Sequence, residues 1–332
     1  MPSQVTQTNE SDATIAFGEP ALRPEIIALR EELNRELFEV CRLMPGALRT
    51  DAALLLLGLG PAEASPARFD LIQKYYAPAY SVLYEVSGTH LPAEIRQRAF
   101  RAHACAMFLH LFDDHLVDGQ QPLTHLSLQL RTTVWQEMQR CLQTVVQKIG
   151  NGSHKRYAQR TIDAAHDRYF RAVQTRAARR RSLTGHTGAT ESDFERYCRR
   201  FVDEMATWLV IPLLLARMAP GWNARMRRAL VQMYHSFGLA WRLLDDLQDA
   251  ADDARNSVRD SAVYQALPPG ERPAWLAGEL ASVPPAAGQP VHTRLTAELD
   301  RAKRIAAREG WSGLHDELTA LASGPGLQLY GS

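Results

Sequence analysis

Residues 238–249 read Gly-Leu-Ala-Trp-Arg-Leu-Leu-Asp-Asp-Leu-Gln-Asp, and a second acidic run stands at 112–118, Phe-Asp-Asp-His-Leu-Val-Asp. Each run closes a stretch of helical periodicity, so each puts carboxylates at a helix C-terminus. The helix dipole disfavours negative charge at that end. A counter-charge is required, and a hard divalent cation is the natural one. Residues four apart share a helix face, which pairs Asp245 with Asp249 and Asp114 with Asp118. If the two helices run parallel, both clusters face one cavity mouth. Ligands that are all oxygen suit Mg²⁺, which keeps waters and bridges carboxylates to phosphates. The predicted metal ligands are Asp113, Asp114, Asp118, Asp245, Asp246 and Asp249, with Asp113 and Asp245 central to catalysis. One acidic helix end is usually a solvated terminus. Two, each behind an apolar helix, indicate a site that binds a diphosphate through metal ions and helps it leave.

Outward from these runs the chain reads as almost all helix. Apolar residues recur with the 3.6-residue period, and Gly and Pro collect in a few short stretches. The expected helices are 24–43, 47–58, 67–88, 92–117, 123–149, 153–182, 191–218, 222–251, 271–282, 291–308 and 312–323. No strand and no long repeat stands out. Thr190, Ser192 and Asp193 can cap the helix that begins near 191. Pro92 suits the first turn of the helix expected over 92–117. The fold class is therefore all-α, one large helical bundle around a central cavity. The bundle spans 21–325, after a disordered tail over 1–20. The stretch 283–290 is the best candidate for a minor boundary.

With 332 residues, the length alone would allow two domains. Apolar residues make up 45% and charged residues 23%, ordinary globular usage that excludes a disordered or fibrous chain. The net charge of +1 argues against a nucleic-acid binder that works by bulk charge. Cys41, Cys105, Cys141 and Cys198 are scattered and read as core thiols of a reducing compartment. The first residues lack the basic start and apolar run of a signal peptide. The longest apolar runs, 52–60 and 208–216, fall short of the ~20 residues that span a bilayer. A soluble cytoplasmic protein is expected, with no integral membrane segment.

Residues 238–249 resemble the second aspartate-rich motif, GxAFQxxDDxxD, of the class I isoprenoid synthase superfamily, which holds trans-prenyltransferases and class I terpene synthases. Trp241 stands for the Phe and Arg242 for the Gln. Asp253 and Arg259 stand where an Asp and a Lys are usual. The first run, DDHLVD, is one residue longer than DDxxD and resembles forms found in bacterial terpene synthases. The resemblance is strongest over 92–260. It implies a helical bundle around a deep cavity, three Mg²⁺ ions, an allylic prenyl diphosphate substrate and, as in many members, a homodimer. There are departures as well. The early GGKRxRP-like stretch and the RRG after the first motif, which bind isopentenyl diphosphate, are missing. The usual Lys-Thr pair falls at Glu204-Met205, where a carboxylate would repel a second diphosphate. The Asn/Ser/Glu triad and Arg-Tyr pair of terpene synthases are missing too.

Stepping back along each helix from the aspartates gives candidate cavity walls. Trp241, Phe237 and Tyr234 lie below Asp245, where aromatic faces would stabilise a carbocation, although such a stripe is also ordinary core. Leu109 and His110, then Cys105, Ala106 and Met107, lie below Asp113 and Asp114, and the small Cys105 and Ala106 would leave a deep pocket. His110 and His115 could accept a proton or touch diphosphate. Pro212 would bend its helix. Arg255 and Arg259 follow the second motif and are the favoured diphosphate contacts, Arg259 with a catalytic share and Arg200 a weaker third. The runs Arg176–Arg181 and Arg225–Arg228 read as solvated. The leading expectation is a Mg²⁺-dependent terpene synthase that ionises an allylic diphosphate, then cyclises or deprotonates the cation. The alternative is an atypical prenyltransferase that joins the allylic chain to a prenyl or other acceptor. A non-catalytic subunit is a third reading, against which both intact clusters argue.

Overall fold

The computed structural model describes residues 15–60, 69–87, 92–118, 120–150, 152–181, 192–219, 221–279 and 283–327, with backbone alone for 87, 117–118 and 177–181. Within them the chain forms α1 (Pro24–Glu39), α2 (Arg49–Leu59), α3 (Ala77–Ser87), α4 (Ala93–Asp118), α5 (His125–Lys148), α6 (Gly152–Arg181) and α7 (Asp193–Glu204). It continues with α8 (Ala206–Met218), α9 (Ala224–Gln248), α10 (Ala250–Arg255), α11 (Ala262–Ala266), α12 (Arg272–Leu276), α13 (Pro285–Glu309) and α14 (Ser312–Ala322). No strand occurs among the described residues.

Two helices form the axis of the bundle. Every residue of α8 from Ala206 to Ala216 is buried, as expected of a helix that is apolar all round. α9 buries a broad face from Ala229 to Asp246 and packs on α13, α8, α7 and α3. Gly238 lets α9 approach the junction of α7 and α8. A Cβ there would lie 1.9 Å from the Met205 sulfur. That junction divides the helix expected over 191–218: Met205 takes φ −78°, ψ 0° and ends one helix while it starts the next. Pro212 sits farther on inside α8, where it has no N–H to give to the preceding turn.

Local chemistry fixes the starts of the helices that carry the site. Asn223 caps α9 by accepting from the N–H groups of Arg225 and Met226. Ser192 caps α7 through the Glu195 N–H. Thr124 and Ser127 make a reciprocal capping box on α5. Thr190 lies outside the described residues.

Other boundaries move. The segment expected as helix from 67 becomes helical only at Lys74, in a short 3-10 turn before α3. The stretch 283–290 is no boundary but mostly the first turns of α13, with Pro285 where a missing N–H costs nothing. The expected 271–282 helix is the single short α12, and α11 was not foreseen. The described end of the expected tail, Ile15–Pro20, is not loose. It runs extended against the C-terminal residues, with Ala16 N–H donating to Pro325 O at 3.1 Å and Gly18 N–H to Leu321 O at 2.9 Å. Gly18 and Gly324 permit this approach, since a Cβ on Gly324 would stand 2.1 Å from Ala16 O. No helix among the described residues is long and apolar enough to cross a membrane.

Candidate active site

α4 and α9 bring their C-terminal ends to the mouth of one cavity. Its free space is about 790 Å³, part of it open to solvent. From α9 and α10 come Asp245, Asp249 and Asp253, spaced by four along one face. The break after Gln248 hardly interrupts this stripe: Asp249 N–H still donates to Asp245 O, and Asp253 N–H to Asp249 O. From α4 come Asp114 and His115. Asp118 is in the last turn of α4, and its side chain lies outside the described residues.

The neighbours of each carboxylate set its state. Asp114 holds Arg176 Nη1 at 2.7 Å on one oxygen and Arg242 Nη1 at 2.7 Å on the other. Burial opposes its ionisation, but Arg242 and Arg176 outweigh that and keep its carboxyl far below the usual range. Asp245 has no such cover. Its nearest cation is Arg242 at 3.4 Å, while a third of its side chain stays exposed in the mouth. Its recessed position, with Asp246, Asp114 and Asp249 adding repulsion, pushes it up to about 8 despite Arg242. Burial beside Asp246 and Asp249 raises Asp253 to about 7, and Asp249 rises as well, chiefly through burial. The α9–α10 stripe is therefore short of positive charge.

Several expected ligands sit elsewhere. Asp113 turns away from the cavity into a bidentate pair with Arg131, with N–O distances of 2.7 and 2.8 Å, and accepts a further bond from Tyr169. Adjacent residues on a helix point about 100° apart; the cavity side of α4 takes Asp114 and His115, and Asp113 falls beyond its edge, toward α5 and α6. Asp246 borders the cavity, but its oxygens are engaged within the chain. Tyr197 OH donates at 2.6 Å, Ala262 N–H at 2.8 Å, and Arg242 Nε lies at 3.1 Å. Arg255 is exposed and pairs with Asp252. Arg259 does not line the cavity, and its backbone carbonyl accepts from Gln265. The cation lining the mouth is instead Arg242, backed by Arg176, which holds Asp114 from behind although its run reads as solvated.

Behind the mouth lies a buried ionic layer. Arg200 meets Asp260 at 2.5 Å and Glu204 at 3.1 Å, while Arg176 meets Asp260 at 2.5 Å and Glu204 at 3.9 Å. Several of these are close ion contacts off the hydrogen-bond axis. The expected repulsion at Glu204 is thus moderated, since two guanidiniums face it. Its carboxyl is still raised, chiefly by burial.

The cavity wall is aromatic just below the aspartates. Tyr76 lies 4.9 Å from Trp241 and 6.1 Å from Trp208, and His110 meets Trp208 edge-on at 5.2 Å, between ring centroids. Trp208 is anchored through Nε1–H to Ala106 O at 3.1 Å. Burial pushes His110 down to about 4, so it is neutral at pH 7. Met107, Phe108 and Leu111 line the α4 wall, whereas Ala106 and Leu109, one position off, point into the packing. Tyr234 and Phe237 are fully buried behind the wall, with the Tyr234 hydroxyl bonded to Ala79 O. Tyr76 went unforeseen because it lies in a stretch read as uniform helix; its place beside Lys74 and Tyr75 gives no periodic signal.

Among the described residues no group of three carboxylate, imidazole or thiol side chains stands ready to hold a metal ion. This is compatible with Mg²⁺, which takes one or two carboxylates and fills its octahedron with water and phosphate oxygens. The all-oxygen, charge-deficient stripe Asp245–Asp249–Asp253 is the part of the site that fits such ions.

No family profile matches the chain, and no curated protein does. Solved structures do. The polyprenyl synthase from Caulobacter crescentus complexed with calcium and isoprenyl diphosphate aligns at a TM-score of 0.59 and 14% identity, over 90% of this chain and 95% of that one. The geranylgeranyl pyrophosphate synthase from Corynebacterium glutamicum complexed with isoprenyl diphosphate and magnesium gives 0.56 and 14%, over 92% and 98%. The polyprenyl synthetase from Streptomyces coelicolor gives 0.56 and 15%, over 90% and 98%. At these identities the likeness concerns the fold: the chain has the all-α isoprenoid synthase fold along nearly its whole length.

Proposed function

We propose that this chain is a class I isoprenoid synthase that ionises an allylic prenyl diphosphate with the help of divalent metal ions. One observation carries the reading: the oxygens of Asp245, Asp249 and Asp253 share a cavity mouth with Asp114, directly above a box of Tyr76, Trp208 and Trp241. Similar folds have been solved with calcium or magnesium and isoprenyl diphosphate. Mg²⁺ ions, when bound, neutralise the diphosphate and make it a better leaving group. The chain's own residues do the rest. The α9–α10 stripe supplies carboxylate ligands, and Arg242 and Arg176 add fixed positive charge at the mouth. The aromatic box faces the allylic carbons, where ring quadrupoles stabilise a cation without attacking it. The apolar wall of Leu71, Ile72, Met107 and Phe108 excludes water and holds the hydrocarbon.

Two fates of the cation fit. Cyclisation or deprotonation, a terpene synthase outcome, is supported by the aromatic box. Transfer to a prenyl or other acceptor is supported by the contacts of Glu204 with Arg176 and Arg200, which lessen the electrostatic objection to a second anionic substrate. Incubation with C10, C15 and C20 prenyl diphosphates, each alone and then with isopentenyl diphosphate, separates them by mass spectrometry. Hydrocarbon or terpene alcohol from a single substrate marks a cyclase. A longer diphosphate only with the acceptor marks a transferase. No turnover of any of them refutes the proposal.

The same reading includes a cytoplasmic setting, in keeping with four buried free cysteines. It also includes a homodimer through α5 and α6. Leu123 (71% exposed), Leu128 (48%) and Phe170 (45%) are the support, beside Trp135 whose ring centroid lies 5.2 Å from Phe170. Light scattering after gel filtration tests this, and a monomer at micromolar concentration rejects it.

A further inference from the structure

Arg242 lies one helical turn before Asp245 and Asp246, with its guanidinium buried at the meeting of α4, α7 and α9. Nη1 is 2.7 Å from Asp114 Oδ2 and 3.4 Å from Asp245 Oδ2. Nε is 3.1 Å from Asp246 Oδ1 and donates to Tyr197 OH at 2.8 Å. The Phe201 ring lies 5.8 Å from its central carbon. One guanidinium thus touches carboxylates of both aspartate clusters, and its planar fork is held from several sides. The other oxygen of Asp114 is taken by Arg176. A divalent ion joining the two clusters through Asp114 would need oxygens that arginines already hold. A buried guanidinium cannot leave them without stranding charge.

We propose that Arg242 is a resident cation that occupies the bridging position between the two clusters. Divalent ions then load from the Asp245–Asp249–Asp253 side, and the chain takes up fewer of them than the three implied by its resemblance. Asp114 anchors the arginine and is not a metal ligand. This inference rests on the metal-and-diphosphate reading above and adds to it which residues the ions meet.

The test counts Mn²⁺ ions bound per chain by electron paramagnetic resonance, in the presence of inorganic pyrophosphate and without any prenyl substrate. Wild type, Arg242→Gln, Asp114→Asn and Asp245→Asn are compared, each checked for folding by circular dichroism. Arg242→Gln is expected to bind one more Mn²⁺ per chain than wild type, or the same ions at least tenfold tighter. Asp114→Asn is expected to bind the wild-type number, and Asp245→Asn fewer. An unchanged count and affinity in Arg242→Gln overturns the inference. If that variant does not fold, Asp114→Asn decides alone: loss of an ion makes Asp114 a ligand and overturns the inference, while an unchanged count supports it. Wild type that binds no Mn²⁺ with pyrophosphate overturns the metal-and-diphosphate reading itself, a different result from wild type and Arg242→Gln binding equally.

Discussion

The two aspartate clusters look alike in the chain and differ in the fold. At the end of α4, Asp113 is clamped by Arg131 and Tyr169, and Asp114 by Arg176 and Arg242. At the end of α9, Asp245, Asp249 and Asp253 share one arginine at 3.4 Å among them. Burial suppresses ionisation in both places, but only the first cluster has enough guanidinium to overcome it. Donor atoms in a motif are potential ligands; the charges that neighbouring helices bring decide which remain available. In this chain the balance leaves the α9 carboxylates with less neutralising charge than those of α4.

The sharpest way to break this contrast is to substitute one residue from each side. With any prenyl diphosphate that the chain turns over, Asp245→Asn should lower pyrophosphate release roughly a hundredfold or more, several kcal/mol of charge stabilisation at about 1.4 kcal/mol per tenfold. Asp113→Asn should keep turnover per folded molecule within a few fold. Equal losses in both would erase the distinction. The next effect is on stability. Arg131→Met leaves Asp113 without its bidentate partner and should cost about 2 kcal/mol, less than a fully buried pair because both groups keep some solvent. The midpoint of urea unfolding would show it. Gly238→Ala forces a methyl into the Met205 side chain and should cost about 1–2 kcal/mol, read the same way. No change there would mean that α9 does not depend on this close approach.

The smallest effect is a pH dependence. The carboxyl of Asp245 titrates at about 8 in the metal-free fold and near 4 when unfolded. Between those values the native state holds the extra proton, so this group's contribution to stability falls as pH rises from about 4 to 8. Asp253, raised to about 7, acts in the same direction. Asp114 has the opposite sign: its lowered value stabilises the fold above about pH 4. The clean reading is therefore a difference. Without metal, Asp245→Asn should melt about 2 °C or more above wild type at pH 8, and the gap should close toward pH 5. Added Mg²⁺ with pyrophosphate should raise wild type more than the variant.

Much of this was legible from residue patterns. The helices that carry the clusters, the shared end of α4 and α9, and Trp241 under the mouth follow from periodicity and spacing. What escaped has a common cause. Arg131, Arg176 and Tyr169 reach the site from α5 and α6, and contacts across such chain separations leave no local spacing to read. Arg255 and Arg259 looked suitable because they follow the motif closely, yet the helical turn after Asp249 carries them away from the mouth. The α4 wall was legible only in part: Met107 and His110 do line the cavity, while Cys105, Ala106 and Leu109 turn into the packing. Phe108 and Leu111, about 100° or more around the helix from the residues beside them, stand in their place.

The extended segment Ile15–Pro20 has a consequence of its own. It joins residues 321–327 by backbone hydrogen bonds, and the Gln248 side chain donates to the Ile15 carbonyl at 2.8 Å. The start of the described chain, its end and the last residue of α9 are thus tied in one clasp. The entropy of closing so long a loop grows only with the logarithm of its length, so a few hydrogen bonds and the buried Phe17 ring suffice to hold it. Topologically the fold is close to a ring. The two ends should exchange their amide hydrogens as one cooperative unit with the tip of α9, not fray as independent tails.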